Sequence, residues 1–240
     1  MLCDLLLNRS VASDAYFVKD IIRALKKRGT LIYNDMENAL DFSNKILTHE
    51  YLTSRLVPNL TTKVTLFKNL VTTLDTFPKD TLEFVIKENF GHGGRGVYKT
   101  TRDEYLSLPF HPQDYIIVQK YAHQKFDYRV LVLDGIVLGI MKRTPSEGEF
   151  RSNMGLGSKS EIVSDDRIAK LAMLAAHGLD FAGVDILEEE GVLKVIEINS
   201  KPSYKYFEVE HNIEVAPLLG NSLLNFYRNT KDTKDTKDTK

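Results

Sequence analysis

The chain has 240 residues, and its 32 Lys and Arg against 33 Asp and Glu leave a formal charge of −1. That balance lacks the basic excess of a protein that grips nucleic acid through phosphates, so no nucleic-acid partner is expected. A content of 42% hydrophobic and 27% charged residues is ordinary for a globular protein with a sizeable core.

Cys3 is the single cysteine. It allows no intramolecular disulfide and no multi-thiolate metal site, and it suggests a reducing, cytoplasmic setting. The apolar start is broken by Asp4 and then by Asn8 and Arg9. It is too short for a signal peptide or a membrane span, so no membrane partner is expected and the segment reads as a buried strand.

Ser13 and Asp14 precede Phe17, Ile21, Ala24 and Leu25 at helical spacing, and Gly29 follows as a stop. Leu5–Leu7 before this helix and Leu31–Tyr33 after it predict a short parallel α/β unit over residues 1–43. A helix near Lys45–Ser54 comes next, then Thr-rich strands, with Phe84–Lys87 and Val97–Thr100 flanking a glycine cluster. Tyr115–Gln119 reads as a strand. Asp127–Leu133 and Ile136–Arg143 read as a hairpin through Asp134-Gly135, and a two-residue turn there would set Asp127 opposite Lys142 as an ion pair.

Ser164, Asp165 and Asp166 cap a helix that runs to about His177, before Gly178. A last hairpin, Phe181–Glu188 and Val192–Asn199, precedes a helix near Ala216–Arg228. Residues 230–240 repeat Thr-Lys-Asp and are expected to be a disordered tail.

Gly91-His92-Gly93-Gly94-Arg95-Gly96 fits the dinucleotide fingerprint in letters, but that fingerprint requires a helix after the loop. Here Val97-Tyr98-Lys99-Thr100 favours a strand. Such a glycine hairpin can lie over a triphosphate, since residues without Cβ let backbone N–H groups approach phosphate oxygens. A protein kinase is excluded by the absence of an HRD segment. A flexible hairpin with Lys87 exposed beside it is the bland alternative.

Glu197 and Asn199 are two apart on a strand and share a face. A plain two-residue turn at Glu190-Gly191 would pair Asp185 with Ile196, whereas an odd loop or a bulge would set Asp185 opposite Glu197. Two facing carboxylates are unfavourable unless a cation lies between them, and hard oxygen donors suit Mg²⁺ or Mn²⁺. The alternative is a solvated face, as at Glu188–Glu190.

Several segments together resemble the RimK-like branch of the ATP-grasp ligases. They are Asn44-Lys45, Val85-Ile86-Lys87, Val118-Gln119-Lys120-Tyr121, Asp127-Tyr128-Arg129, Met141-Lys142-Arg143 and Glu147 to Asn153. Phe181 to Ile186 and Glu197-Ile198-Asn199-Ser200-Lys201-Pro202 complete the series. The resemblance covers about residues 40–225 and implies an α+β, ATP-grasp fold. Its first subdomain would span 44–122 and its second 123–229, the two clamping ATP, with the reduced N-terminal unit ahead of them.

By this resemblance Lys45 and Lys87 would contact phosphates, and the flap with Gly93 and Gly94 would close over them. Gln119, Lys120 and Tyr121 would meet adenine largely through backbone, and Asp127 would lie near the ribose. Arg129, Arg143 and Arg151, with Ser152 and Asn153, would face the phosphates or an acyl phosphate. Asp185, Glu197 and Asn199 would hold Mg²⁺ or Mn²⁺, two ions being usual.

The implied activity joins a carboxylate to an amine through an acyl phosphate, adding an amino acid such as glutamate to a peptide or small molecule. Alternatives are a ligase that cyclises a peptide and a nucleotide-binding module without turnover. Met154-Gly155-Leu156-Gly157 and Ser203 depart from the family pattern, so the substrate is the least defined part. With a reduced N-terminal unit, substrate binding would depend on a partner, a homo-oligomer or an open surface.

Overall fold

A computed structural model describes residues 3–8, 15–35, 44–91, 94–123, 125–152 and 154–235. The expected cap residues Ser13 and Asp14 and the loop residues His92, Gly93 and Asn153 lie outside these positions. At the N-terminus β1 (Leu5–Leu7) pairs in parallel with β2 (Leu31–Tyr33), and α1 (Ala15–Lys27) connects them. This is the expected α/β unit.

The helix α2 (Lys45–Ser54) begins at Asn44, whose side chain accepts from the Leu47 N–H. A four-stranded antiparallel sheet follows, built from β3 (Thr62–Leu66), β4 (Glu83–Glu88), β5 (Val97–Thr101) and β6 (Tyr115–Lys120) in the order β3-β6-β4-β5. The short α3 (Leu70–Leu74) packs on it. Phe84, Ile86, Ile116 and Val118 alternate onto the face that buries Leu70, Leu74 and Phe77. Burial of each such side chain stabilises by about 1.5–3 kcal/mol. Val85, Lys87 and Gln119 point from the opposite face.

The second sheet is five-stranded and antiparallel. It holds β7 (Asp127–Leu133), β8 (Ile136–Thr144), β9 (Lys159–Val163), β10 (Phe181–Glu189) and β11 (Val192–Asn199), ordered β11-β10-β7-β8-β9. The helix α4 (Asp166–Ala175) is capped by Asp165 and covers one face. On that face Val130, Val132, Ile140, Val184, Ile186 and Ile198 pack with Ile168 and Leu171. Leu52 and Val57 join the same cluster, so α2, though it falls in the first expected subdomain, lies on the second sheet. The other face is divided: Leu131 and Leu133 pack with Tyr33, Phe181, Phe207 and Val215, while Asp127 and Arg129 leave the core for a cavity.

The Asp134-Gly135 turn forms with φ of 49° and 74°, closed by Leu133 opposite Ile136. The expected facing of Asp127 and Lys142 does not occur. Leu138 bulges out between Val137 and Gly139, which moves the register by one and brings Asp127 opposite Arg143. Lys142 faces Tyr128 and pairs with Glu161 at 2.6 Å.

Three elements are absent from the sequence reading: α3, inside the stretch read as Thr-rich strands, β9, inside the stretch after Asn153, and α5 (Lys205–His211). The last helix, α6 (Val215–Asp235), runs on beyond Arg228 and makes residues 230–235 helical where disorder is expected. Its final turns are tied down: Tyr227 Oη donates to Asp4 at 3.1 Å, and Lys231 lies 3.7 Å from the same carboxylate.

Asn34, fully buried with φ of 58°, joins the N-terminal unit to the second sheet. Its Nδ2 donates to Phe181 O at 2.8 Å and Ser200 O at 3.0 Å. Its Oδ1 accepts from the Asp180 and Phe181 N–H groups, each at 3.0 Å. Asn34→Gly keeps the backbone geometry but strands these groups. It should cost about 2–4 kcal/mol in urea unfolding, and Asn34→Ala about 1 kcal/mol more because of the left-handed backbone.

Candidate active site

A cavity of about 430 Å³ lies between the two sheets. Every expected site residue within the described positions lines it. Lys45, Lys87, Gly94, Gln119, Lys120 and Tyr121 come from the first half, and Asp127, Arg129, Arg143, Arg151, Ser152, Asp185, Glu197 and Asn199 from the second. Gly93 and Asn153 lie outside the described residues. The wall carries eight Lys and Arg against three Asp and Glu, so a chain with no basic excess concentrates positive charge here.

The carboxylates meet because of one irregularity. The Glu190-Gly191 turn has two residues with φ of 54° and 80°, closed by Glu189 opposite Val192. On its own it would misplace Asp185. Ile196 bulges between Val195 and Glu197, and Asp185 thereby stands opposite Glu197, with Gly183 opposite Asn199. All three donors line the cavity.

Asp185 also stands opposite Arg129 on its other side. The pair is two-pronged: Arg129 Nε donates to Oδ1 at 2.5 Å and Nη2 to Oδ2 at 2.9 Å. Arg143 Nη2 approaches Asp185 Oδ1 at 3.1 Å, and Arg143 also grips Asp127 through Nε and Nη2, both at 2.7 Å. Asp127, Arg143, Asp185 and Arg129 thus alternate in sign across three strands. Burial raises the Asp127 carboxyl to about 6 despite Arg143 beside it. Arg143 is only 6% exposed and committed to two carboxylates, so it orders the site more than it captures free anions.

Lys87 is half-buried in the cavity wall. Burial lowers its ammonium to about 8, with nearby Lys45 adding to the fall and Glu197 opposing it. Lys45 Nζ donates to Gly91 O at 2.9 Å. At the other end of the flap, Arg151 Nη1 donates to Gly94 O at 2.7 Å. Glu149 holds the remaining nitrogens of Arg151, Nε at 2.9 Å and Nη2 at 2.7 Å, and these bonds keep the carboxyl down at about 2. Two cations therefore tie the flap, one from each side.

In the linker strand, Gln119 Nε2 donates to Thr62 Oγ1 at 2.8 Å, and the Tyr121 N–H donates to Glu83 O at 3.0 Å. The Tyr121 ring packs edge-on against His123 and Phe150, with Lys99 4.2 Å above it. Lys120 Nζ reaches Glu190 Oε1 at 3.2 Å, crossing to the β10–β11 turn.

The donor set fits a hard divalent cation. Asp185 Oδ2 accepts one bond and keeps a lone pair, and the buried Asn199 Nδ2 has no partner. An amide turned end for end would present its oxygen. No trio of His, Cys, Asp or Glu among the described residues makes another metal centre.

The sequence reading assigned no role to Arg95, Phe126, Phe150, Lys201 or Ser203, nor to the apolar wall of Leu60, Val85, Leu187 and Ile196. Val85 and Leu187 could have been found by alternation, two residues from Lys87 and Asp185. Ile196 could have been found as well, since the plain turn at Glu190-Gly191 sets it opposite Asp185; what the bulge adds is Glu197 beside it.

A model described as a RimK-like ATP-grasp domain matches residues 42–223. The chain is 29% identical over 238 residues to tetrahydromethanopterin:alpha-L-glutamate ligase of Methanocaldococcus jannaschii, covering 92% of this chain and 79% of that protein. It is 27% identical to N-acetylaspartylglutamate synthase A of Mus musculus, covering 92% of this chain but only 60% of that longer protein. Among solved structures, D-alanyl-alanine synthetase A of Vibrio cholerae aligns with a TM-score of 0.71 at 14% identity, over 93% of this chain and 77% of that one. The ATP-grasp ligase PsnB with a minimal precursor aligns at 0.68 and 18%, over 93% and 80%. These last two likenesses show the fold, which is ATP-grasp, and with the domain match they establish that the chain belongs to the RimK-like ATP-grasp family.

Proposed function

We propose that this chain is an ATP-dependent carboxylate–amine ligase, which adds an amino acid such as glutamate to a carboxylate of a peptide or small molecule. The observation that carries this reading is the meeting, in one cavity, of register-paired oxygen donors with cations supplied by both sheets. Ser152 and Ser203 line that wall with no His beside them to activate a hydroxyl, and no Cys lines it; phosphoryl transfer asks mainly for positioning and charge neutralisation. The relatives' names support glutamate as the added group. The single cysteine supports a cytoplasmic setting, and no described helix is long and apolar enough to cross a membrane.

In the first step a carboxylate oxygen of the acceptor bonds to the γ-phosphorus, and ADP leaves with the electrons of the broken P–O bond. In the second, an amine attacks the acyl carbon, phosphate departs, and the nitrogen loses a proton. Lys45 and Lys87 neutralise the phosphates, and Arg129 and Arg151 face the transferred group. The loop from Gly91 to Gly96 excludes water once its two ties are exchanged for contacts to nucleotide. Mg²⁺, with Mn²⁺ as the alternative and two ions the expected count, would be held by Asp185, Glu197 and Asn199 and would supply charge neutralisation across the phosphates.

ADP release on mixing candidate acids and amines with ATP, with the product weighed by mass spectrometry, tests this reading. Glu197→Gln should lower turnover by about 10²-fold or more without lowering the melting temperature. Asp185→Asn should lower both, because it also weakens the pairing of two half-buried or buried arginines.

The cation at Lys87 gives a pH signature. Its charge is complete well below 8, half lost at about that value and absent well above it, so kcat/KM for ATP should fall on the alkaline side with an apparent pKa near 8. Lys87→Arg should abolish that limb up to pH 10.

A further inference from the structure

The loop after β11 carries a cation to which the mechanism above gives no task. Lys201 lines the cavity and has no hydrogen-bond or ion-pair partner among the described residues. The loop around it is held firmly. Ser200 O accepts from Asn34, and Pro202 rests over Gly183, where an added Cβ would come 2.8 Å from Pro202 Cβ. The same Cβ would lie 3.0 Å from Arg129 Nη1. Nε and Nη2 of that guanidinium are taken up by Asp185. Nη1 is therefore the nitrogen left for a ligand, and it abuts Pro202, the neighbour of Lys201.

Most other cavity cations are engaged or face elsewhere. Lys45 and Arg151 hold the flap, Lys120 pairs with Glu190, Arg143 serves two aspartates, and Lys87 faces Glu197. Arg95 belongs to the flap. Lys201 is thus the cation of the wall left without a task, and Arg129 Nη1 is the free nitrogen at the loop that carries it.

An amino acid that arrives as the amine donor brings its α-carboxylate, and an acidic one brings a second. Burying either beside a triphosphate is unfavourable without a fixed cation. We propose that Lys201, together with Arg129 Nη1, forms the carboxylate-reading end of the amine-donor subsite and selects a donor with an acidic side chain. This rests on the ligase reading and assigns the residue that sets its preference. Lys201 is exposed, so it selects by attraction: an acidic side chain gains a partner, a neutral one forgoes it, and a basic one is repelled.

The test compares L-glutamate, L-glutamine and L-lysine as donors, with a panel of small di- and tricarboxylic acids and short peptides as acceptors. ADP release and product mass are the readouts. Lys201→Met should raise KM for L-glutamate about tenfold or more while kcat changes less than about threefold. KM for L-glutamine should barely move, and Lys201→Arg should restore most of the preference. A Lys201→Met enzyme with the wild-type ratio of glutamate to glutamine kcat/KM overturns the proposal, as does an equal loss for both donors.

If the wild-type protein releases no ADP with any pair, the ligase reading fails by itself. Lys201 is then judged by calorimetric titration of L-glutamate and L-glutamine into the full chain loaded with Mg²⁺ and AMPPNP. Tenfold weaker L-glutamate binding in Lys201→Met supports the assignment. Equal affinity of variant and wild type, or no binding of L-glutamate to the wild type, overturns it.

Discussion

One extra residue in β11 decides what faces the cavity. Side chains on a strand alternate, so a hairpin closed by the two-residue Glu190-Gly191 turn would set Ile196 against Asp185 and rotate Glu197 away. The bulge at Ile196 absorbs the mismatch and brings Asp185, Glu197 and Asn199 to one wall. A second bulge, at Leu138, does the same for β8 and turns Arg143 toward Asp127. Both strands sacrifice ladder regularity at a point where chemistry, not packing, determines which side chains must point inward.

Within that frame the charges fall into two groups. Asp127, Arg143, Asp185 and Arg129 neutralise one another in a chain across β8, β7 and β10, which fixes their orientation. Outside that chain Lys45, Lys87, Arg151, Lys201 and Glu197 lie on the same wall, and together with Arg129 Nη1 they are charged groups that a substrate can meet. The pairing adds little net stability, since desolvation offsets most of the attraction. Its value is geometric: a buried arginine with both forks occupied cannot swing away when the substrate arrives.

Much of the fold was legible in the sequence because it rests on local signals. The Asp134-Gly135 turn, the Asn44 and Asp165 neighbourhoods that start helices, and the alternation in Asp127–Leu133 each declare an element within a few residues. The site residues were readable as a series of short segments whose order matters more than any one of them. The bulge in β11 was one of the two alternatives that the meeting of Asp185 and Glu197 required, but the one in β8 was not readable: no residue type marks Leu138, and the facing of Asp127 and Arg143 depends on it. Nor was α5, seven residues whose position depends on Phe207 packing into a core made by distant strands. Nor does any local signal announce that the last helix meets Asp4, more than two hundred residues away, through Tyr227 and Lys231.

The Ile196 irregularity has a mechanical side as well. Immediately before it, the Val195 N–H donates to Pro58 O at 2.8 Å, and Asn59 forms a parallel bridge with Val195. The stretch that leads into the first sheet is thus stitched to the second at the foot of the distorted segment. Rocking of one sheet over the other would swing about this seam as a door about its pin. Glu197, two residues from the pin, would scarcely be displaced by such a swing.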